Sequence, residues 1–592
     1  MPPESAELAA NLARIEELTQ RLVAALAHRR APNPALEGPG VELMSRVMGA
    51  WWGEALTDPA RLIERQAAFW GQAVQQYAEA QQMLAQGKFE APEDKTPKDR
   101  RFANPLWQTH PYFHFVKQQY QQNVAAMKDA IASLDLTDHD RRRVDYFARQ
   151  IMDMMAPTNF LPTNPDALEK ALETGGESLV QGLENLVRDV EANHGDLLVT
   201  LADREAFSVG GNIATTPGKV VFRNRMIELI QYAPSTDKVR ALPVVLFPPW
   251  INKFYILDLK PQNSLIKWVV DQGFTLFVVS WKNPDASYAG VGMDDYVQEG
   301  FLAAMEAAKA ITGQEKINAI GYCIAGTTLA LTLALMRDRG DKSVNSATFF
   351  TTLTDFSEPG EVGVYLDNDF VDGIEAEVVR SGYLDKYFMS RTFSYLRAND
   401  LIYTPAIKSY MLGEAPPAFD LLFWNGDGTN LPARMAVEYL RGLCQEDGLA
   451  KGTFEVLGQK VSLKDVKVPL CAIACETDHI APWVSSFAGI RSMGSKDKTF
   501  ILAQSGHIAG IVSPPGRDKY GHYLREDGVN VAEDAAGWKE GATFHKGSWW
   551  PAWGTWLAER SGKWVPSREP GDTEHPPLAP APGTYVTEVP RA

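Results

Sequence analysis

Lys316-Ile317-Asn318-Ala319-Ile320-Gly321-Tyr322-Cys323-Ile324-Ala325-Gly326 runs directly into Thr327-Thr328-Leu329-Ala330-Leu331-Thr332-Leu333-Ala334-Leu335-Met336. The first half is apolar and β-leaning and the second is a strong helix former. The Gly-x-Cys-x-x-Gly between them puts Cys323 on a strand-to-helix corner, the position of an activated nucleophile. Small residues at 321, 325 and 326 let strand and helix pack closely around a tight turn. The start of the helix offers unpaired N–H groups and a positive dipole end, and both favour a thiolate. The competing reading is a buried structural cysteine, the commoner fate of a free thiol, so the rest of the sequence must decide.

At 592 residues the chain exceeds a single hydrophobic core, and at least two domains are expected. A net charge of −16 argues against a nucleic-acid partner. It does not exclude an anionic substrate in a locally basic pocket. The four cysteines, Cys323, Cys444, Cys471 and Cys475, are too few for a disulfide framework and suit a reducing cytoplasm. Cys471 and Cys475 lie in an apolar run with no second ligand cluster, so packing is expected there and no metal site. Met1 to Ala10 lacks a basic stretch followed by an apolar core, so no signal peptide is read. No run approaches the ~18–20 apolar residues of a membrane span.

From Ser5 to Arg30, Leu8, Leu12, Ile15, Leu18, Leu22 and Leu26 recur at three- and four-residue steps and predict an amphipathic helix. It could meet a partner or a lipid-like surface, or pack on its own domain. Helical text continues from Gly40 to Gln86, with Trp51, Trp52, Phe69, Trp70 and Tyr77. A charged loop follows at Glu90 to Arg101, then helices at Tyr112 to Ala132, Asp138 to Met155 and Asp166 to Glu191. A helical N-terminal domain is therefore expected over residues 1–200. Strands are then predicted at Lys219 to Tyr232 (a pair), Leu242 to Phe247, Phe274 to Trp281, Lys316 to Ile320, Ala347 to Leu353, Leu470 to Cys475 and Thr499 to Leu502. Helices at Ser264 to Gln272 and Tyr296 to Thr312 alternate with them. That alternation implies a mostly parallel, doubly wound sheet. With the elbow it implies an α/β-hydrolase fold over 201–592. A mixed insert at roughly 355–468 is expected to act as a cap gating Cys323. Trp549, Trp550, Trp553 and Trp556 precede a Pro-rich tail from Val565 to Pro582.

In this fold the nucleophile is followed in the chain by an acid and then a histidine. Asp478 follows the strand Leu470 to Cys475, and His507 follows the strand Thr499 to Leu502. Both sit at carboxyl ends of strands, where such sheets place their sites. Glu476 competes as the acid and His479 as the base, although a histidine adjacent to Asp478 is hard to turn back towards it. In the resulting scheme His507 deprotonates the Cys323 thiol while Asp478 holds the imidazole tautomer. Oxyanion donors are expected from the Ile324 N–H and from the loop Phe247 to Lys253. Pro248 and Pro249 carry no N–H there, which leaves Ile251 or Trp250. A cysteine nucleophile also bears on the reaction class. Acyl transfer from a thioester to sulfur keeps the transfer potential that an oxoester would lose, so the acyl group can still pass downhill to an alcohol.

Phe247-Pro248-Pro249-Trp250-Ile251-Asn252-Lys253-Phe254-Tyr255-Ile256-Leu257-Asp258-Leu259, Ser280 to Asp285, the elbow, Phe423-Trp424-Asn425-Gly426-Asp427, Asp478-His479-Ile480 and Gly506 to Gly510 together resemble the polyhydroxyalkanoate synthases. Length and the helical N-terminal region resemble the class I, poly-3-hydroxybutyrate-forming members. The resemblance implies polymerisation of (R)-3-hydroxyacyl-CoA, chiefly 3-hydroxybutyryl-CoA, with release of CoA through a thioester on Cys323. It implies no cofactor beyond the CoA of the substrate. It also implies a cytoplasmic homodimer at polymer granules, with possible granule-associated proteins. Trp250, Asp258, Trp424 and Ala509 become substrate-binding candidates. Aromatic residues of the N-terminal region and Trp549 to Trp556 could touch polymer or serve as packing. Two departures stand out: Ala325 where family members commonly carry glycine, and Trp250 where some carry a further cysteine. The second removes any two-thiol mechanism at that position. Other readings of the same triad are a thioesterase or polyester depolymerase, distinguished by product, and a non-catalytic granule-binding protein.

Overall fold

The computed structural model describes residues 3–29, 41–57, 59–85, 98–516, 519–530 and 532–589. The helix and loop limits expected at Arg30, Gly40, Gln86 and 90–97 lie outside the described residues. The chain forms two compact units, Met1–Asp203 with Thr392–Pro417, and Arg204–Arg391 with Ala418–Ala592.

The first unit contains the helices α1 (Pro3–Ala27), α2 (Val41–Thr57), α3 (Pro59–Ala85), α4 (Pro111–Ser133), α5 (Asp138–Met154), α6 (Pro165–Glu173) and α7 (Glu177–Ala192). Leu18 of α1 is buried against Val180 and Val187 of α7. Arg14 pairs with Glu177 at 2.9 Å and Glu184 at 2.5 Å across the same seam. Leu12, Ile15 and Leu26 stay exposed, so the apolar stripe of α1 is only partly used within the unit. The single helix expected from Asp166 to Glu191 is instead two. Gly175 and Gly176 take φ of +59° and +90°, left-handed values that end α6.

Residues 392–417 were expected to lie in one continuous insert of the catalytic domain, and they group with the N-terminal helices instead. The reason is local packing on α7. A Cβ on Gly182 would stand 2.1 Å from the Tyr410 carbonyl oxygen, so only glycine admits that backbone. Asn185 donates to the carbonyls of Ser409 (3.0 Å) and Glu414 (3.2 Å), and the Tyr410 hydroxyl donates to the buried Asp189 carboxylate at 2.8 Å.

The second unit is built on an eleven-stranded sheet. Its strands are β1 (Gly218–Arg223), β2 (Ile227–Tyr232), β3 (Val244–Phe247), β4 (Leu276–Trp281), β5 (Ile317–Tyr322), β6 (Val344–Phe350), β7 (Leu470–Cys475), β8 (Lys498–Ala503), β9 (Gly521–Leu524), β10 (Thr543–Lys546) and β11 (Ala579–Pro580). Their order is β10-β9-β8-β7-β6-β5-β3-β4-β2-β1-β11, parallel from β8 through β4 and antiparallel at both margins. This mostly parallel, helix-covered sheet is the α/β-hydrolase architecture. From β3 the chain steps to β4 on one side and returns to β5 on the other, so a crevice opens at the carboxyl ends of β3 and β5. Helices α8 (Ala303–Thr312), α9 (Ile324–Asp338), α10 (Asn368–Ser381), α11 (Trp483–Ser492) and α12 (Trp550–Glu559) belong to this unit. Ahead of α8, Tyr296–Leu302 winds as a wider π-helical turn rather than the regular start of one helix.

The tryptophans once eligible for polymer contact are core. Trp549, Trp550 and Trp553 are essentially inaccessible and Trp556 is buried; Trp549 and Trp553 pack on Phe350 with ring centroids 5.3 and 5.5 Å away. Their burial withdraws them from any polymer surface. Among the described residues no helix is long and apolar enough to cross a membrane.

Candidate active site

β5 delivers Cys323 to the crevice on a constrained turn. Its φ and ψ are +55° and −125°, a region costly for a residue with a Cβ and one that persists only where the surroundings impose it. The surroundings do so through close approach. A Cβ on Gly321 would lie 2.6 Å from the Gly326 Cα, and one on Gly326 would lie 2.0 Å from Thr352 Oγ1. Ala325 is fully buried in the same turn. The Cys323 N–H donates to the Phe350 carbonyl at 2.8 Å, tying the elbow to β6. Cys323 is partly exposed, whereas Cys444, Cys471 and Cys475 are buried, and burial pushes their thiols above the usual range. Cys471 and Cys475 belong to the main core.

Asp478 lies in the turn after β7. Its Oδ1 accepts the N–H groups of Ile480 (2.8 Å) and Ala481 (2.9 Å), and its Oδ2 stands 2.7 Å from His507 Nδ1. His507 follows β8 on a turn closed by the Gly510 N–H donating to the Gly506 carbonyl at 2.9 Å. The Trp549 indole donates to the Gly510 carbonyl at 2.7 Å, so the buried tryptophan cluster steadies the histidine loop. The imidazole lies over Tyr322, the residue before Cys323, 6.1 Å between centroids and 28° between planes, and the Cys323 sulfur acts on it electrostatically. Burial disfavours its charged form. The Asp478 carboxylate and the Cys323 sulfur outweigh burial and raise the His507 pKa above its ordinary value. His507 and Asp478 are thus bonded to one another, with the Cys323 sulfur within electrostatic reach of the imidazole. Glu476 is engaged elsewhere, accepting from Lys539 Nζ at 2.5 Å.

The loop after β3 abuts the elbow because Phe247 pairs in register with Gly321. The Trp250 indole donates to Thr328 Oγ1 in α9 at 3.2 Å, and Thr429 holds the other side, donating its hydroxyl to the Trp250 carbonyl and its N–H to the Ile251 carbonyl. Ile251 and Trp250 therefore sit on a braced loop beside Ile324, the first residue of α9.

The four substrate-binding candidates fall differently. Trp250 is buried in this brace. Trp424 is also buried and donates its indole N–H to the Lys253 carbonyl at 2.7 Å. Asp258 is a buried carboxylate accepting from the Thr216 hydroxyl (2.6 Å), the Thr216 N–H (3.2 Å) and the Ser264 hydroxyl (2.6 Å). Those donors account for it as a loop anchor rather than a substrate group, and burial raises its pKa despite them. Ala509 is exposed on the histidine turn.

The sequence reading overlooked Tyr439. It lies in the π-helical turn Glu438–Gln445, packs edge-on against Trp250 (5.4 Å) and Phe356 (6.2 Å), and stands within electrostatic reach of Cys444 and Cys323. Burial keeps that phenol neutral by raising its pKa. No periodicity marks this position, because the wide turn carries an irregular pattern. Among the described residues no group of three or more His, Cys, Asp or Glu side chains could hold a metal ion.

Two family profiles match the chain: the N-terminus of poly-beta-hydroxybutyrate polymerase over residues 98–269, and the alpha/beta hydrolase fold over residues 243–514. A poly(3-hydroxyalkanoate) polymerase of Methylorubrum extorquens is 41% identical over 92% of this chain and 89% of its own length. The poly(3-hydroxyalkanoate) polymerase subunit PhaC of Rhizobium meliloti (strain 1021) is 39% identical over 99% of this chain and 95% of its own. The corresponding subunit of Cupriavidus necator is 40% identical over 85% of each. Likeness of this extent, carried through both units, shows that the chain belongs to the poly(3-hydroxyalkanoate) polymerase family.

Proposed function

We propose that this enzyme polymerises (R)-3-hydroxyacyl-CoA, chiefly 3-hydroxybutyryl-CoA, into polyhydroxyalkanoate with release of one CoA per unit. The observation that carries the reading is a thiol on the elbow, within electrostatic reach of a hydrogen-bonded histidine–carboxylate pair, in a chain matched along most of its length by named polymerases. His507 takes the Cys323 proton, and the thiolate attacks the thioester carbonyl. The oxyanion is held by the N–H groups of Ile324 and of Ile251 or Trp250, an arrangement worth about 3–4 kcal/mol per donor in acyl transfer. The tetrahedral species collapses, the C–S bond to CoA breaks, and the imidazolium returns its proton to the departing CoA thiolate. A 3-hydroxyl then attacks the Cys323 thioester, giving up its proton to the His507–Asp478 pair as the new ester C–O bond forms and the C–S bond to Cys323 breaks. CoA enters within the substrate and leaves as product, so the chemistry calls for no resident cofactor.

The segments 355–391 and 418–468 serve as the cap, a role supported by Tyr439 and Phe356 gathering beside Trp250. The N-terminal helices provide dimer and granule contacts in a cytoplasmic enzyme. Their exposed Trp52, Trp70 and Tyr77 support that role. A hydrolase with the same triad would release free 3-hydroxy acid. Purified protein given (R)-3-hydroxybutyryl-CoA should release CoA in step with formation of chloroform-soluble polyester. Stoichiometric free 3-hydroxybutyrate in place of polymer would overturn the reading.

A further inference from the structure

Lys253 is a charged side chain in the loop that carries the oxyanion donors, yet it is only 5% exposed. Taking an ammonium out of water costs several kcal/mol unless it is well partnered. Its hydrogen-bond acceptor is the carbonyl of Val586, 2.5 Å away and 333 residues later in the chain. The Asp427 carboxylate is farther, at 3.9 Å, and Lys386 and Glu588 also act on it electrostatically. Burial lowers the Lys253 pKa.

The segment bringing that carbonyl is firmly seated. β11 pairs with β1, and Ala581 and Leu578 donate N–H groups to Gly218 and Val220. The fully buried Glu228 then receives the tail: its carboxylate accepts the N–H groups of Thr584 (2.8 Å) and Tyr585 (3.0 Å) and the Thr584 hydroxyl (2.8 Å). Lys282 pairs with Glu588 and stands 4.5 Å over the Tyr585 ring. Val586 itself is in the core.

We infer that residues 579–588 are a positioning element of the active site: by capping Lys253 through the Val586 carbonyl, the tail fixes the loop Trp250–Lys253 and so aims its oxyanion donor at the Cys323 thioester. Lys253 and the tail act through the loop and touch no reacting atom. Thr429 and Trp424 grip carbonyls of that loop, Trp281 grips the Pro248 carbonyl just ahead of it, and the Trp250 indole ties it to Thr328 in α9. Lys253 is the residue through which the end of the chain reaches it.

The inference rests on the polymerase reading for its kinetic assay, so the test adds a readout free of it. Full-length Lys253→Met, Gly583→Val and the double variant are compared with wild type. Gly583 has φ +82°, and a Cβ there would lie 2.3 Å from Glu228 Oε2, so valine expels the tail. Each single variant should lower kcat for CoA release about 10–100-fold, somewhat less than outright loss of an oxyanion donor, with KM changed less than about 3-fold. The double variant should lose no more than the worse single. Hydrogen exchange at the amides of 250–253 should rise in Lys253→Met while β5 and β6 stay protected. A Lys253→Met enzyme within about 2-fold of wild type, or losses that multiply in the double, would overturn the inference. If Gly583→Val does not fold, Lys253→Met decides alone. Wild type releasing no CoA would sink the polymerase reading, and the exchange readout would still decide the positioning.

Discussion

Cys323→Ala should reduce CoA release from (R)-3-hydroxybutyryl-CoA by at least about 10⁴-fold while leaving the thermal unfolding temperature within a few degrees. The loss is large because members of a triad act as a unit, and without the nucleophile only residual binding and oxyanion stabilisation remain. The fold should survive because Cys323 is partly exposed and only borders the main core, so alanine empties little buried volume. The strained backbone at φ +55° is imposed by Gly321, Gly326 and Thr352 rather than by the cysteine. Serine at the same position is a sharper comparison. It should accept one acyl group as a stable oxoester and then stall, since the hydroxyl of the next unit gains little by attacking an ester. A Cys323→Ala enzyme retaining full CoA release would refute the nucleophile.

Asp478→Asn carries the second large effect. The carboxylate does two jobs: it is oriented by the Ile480 and Ala481 N–H groups, and its free oxygen holds His507 Nδ1 at 2.7 Å. An amide in its place can present a donor to Nδ1 and trap the wrong tautomer, a change that costs about 10⁴-fold in kcat in serine-type triads. The pH profile should move as well. The carboxylate is the principal group raising the His507 pKa against burial, so its loss lets that pKa fall. The acid limb of kcat/KM, which reports protonation of His507, should therefore shift to lower pH. A rate profile with an unmoved acid limb would separate Asp478 from the titrating group.

How much of this was legible in the sequence follows from where the signals sit. Leu470 to Cys475 is buried on every residue and reads as an unbroken apolar run, so its limits were plain; the same holds for the centres of β3, β4 and β5. The margins were not. Thr543-Phe544-His545-Lys546 is exposed throughout, and Ala579-Pro580 is a two-residue strand containing proline, so neither carries a strand pattern. The break between α6 and α7 was written as Gly175-Gly176 and was outweighed by the helical periodicity on both sides. The attachment of 392–417 to α7 depends on the missing Cβ of Gly182, a tertiary fact with no local signature.

Asp478 and His507 could be singled out because chain order and strand ends constrain them. They pair with one another at 2.7 Å, with Cys323 within electrostatic reach of the imidazole. Asp258, by contrast, was chosen for its place in a motif, and its donors make it an anchor. Tyr439 and Lys253 escaped notice for the same reason in reverse. One is made relevant by a π-helical turn that sets it against the distant Trp250, and the other by a carbonyl from the far end of the chain.

The covalent step is the centre of the account, and it can be read directly. Enzyme quenched in acid during turnover of (R)-3-hydroxybutyryl-CoA is digested and its peptides are weighed. The peptide containing Cys323 should carry hydroxyacyl adducts in increments of one unit, removable by neutral hydroxylamine as thioesters are. An unmodified Cys323 peptide throughout active turnover, or an adduct on another residue, would contradict it.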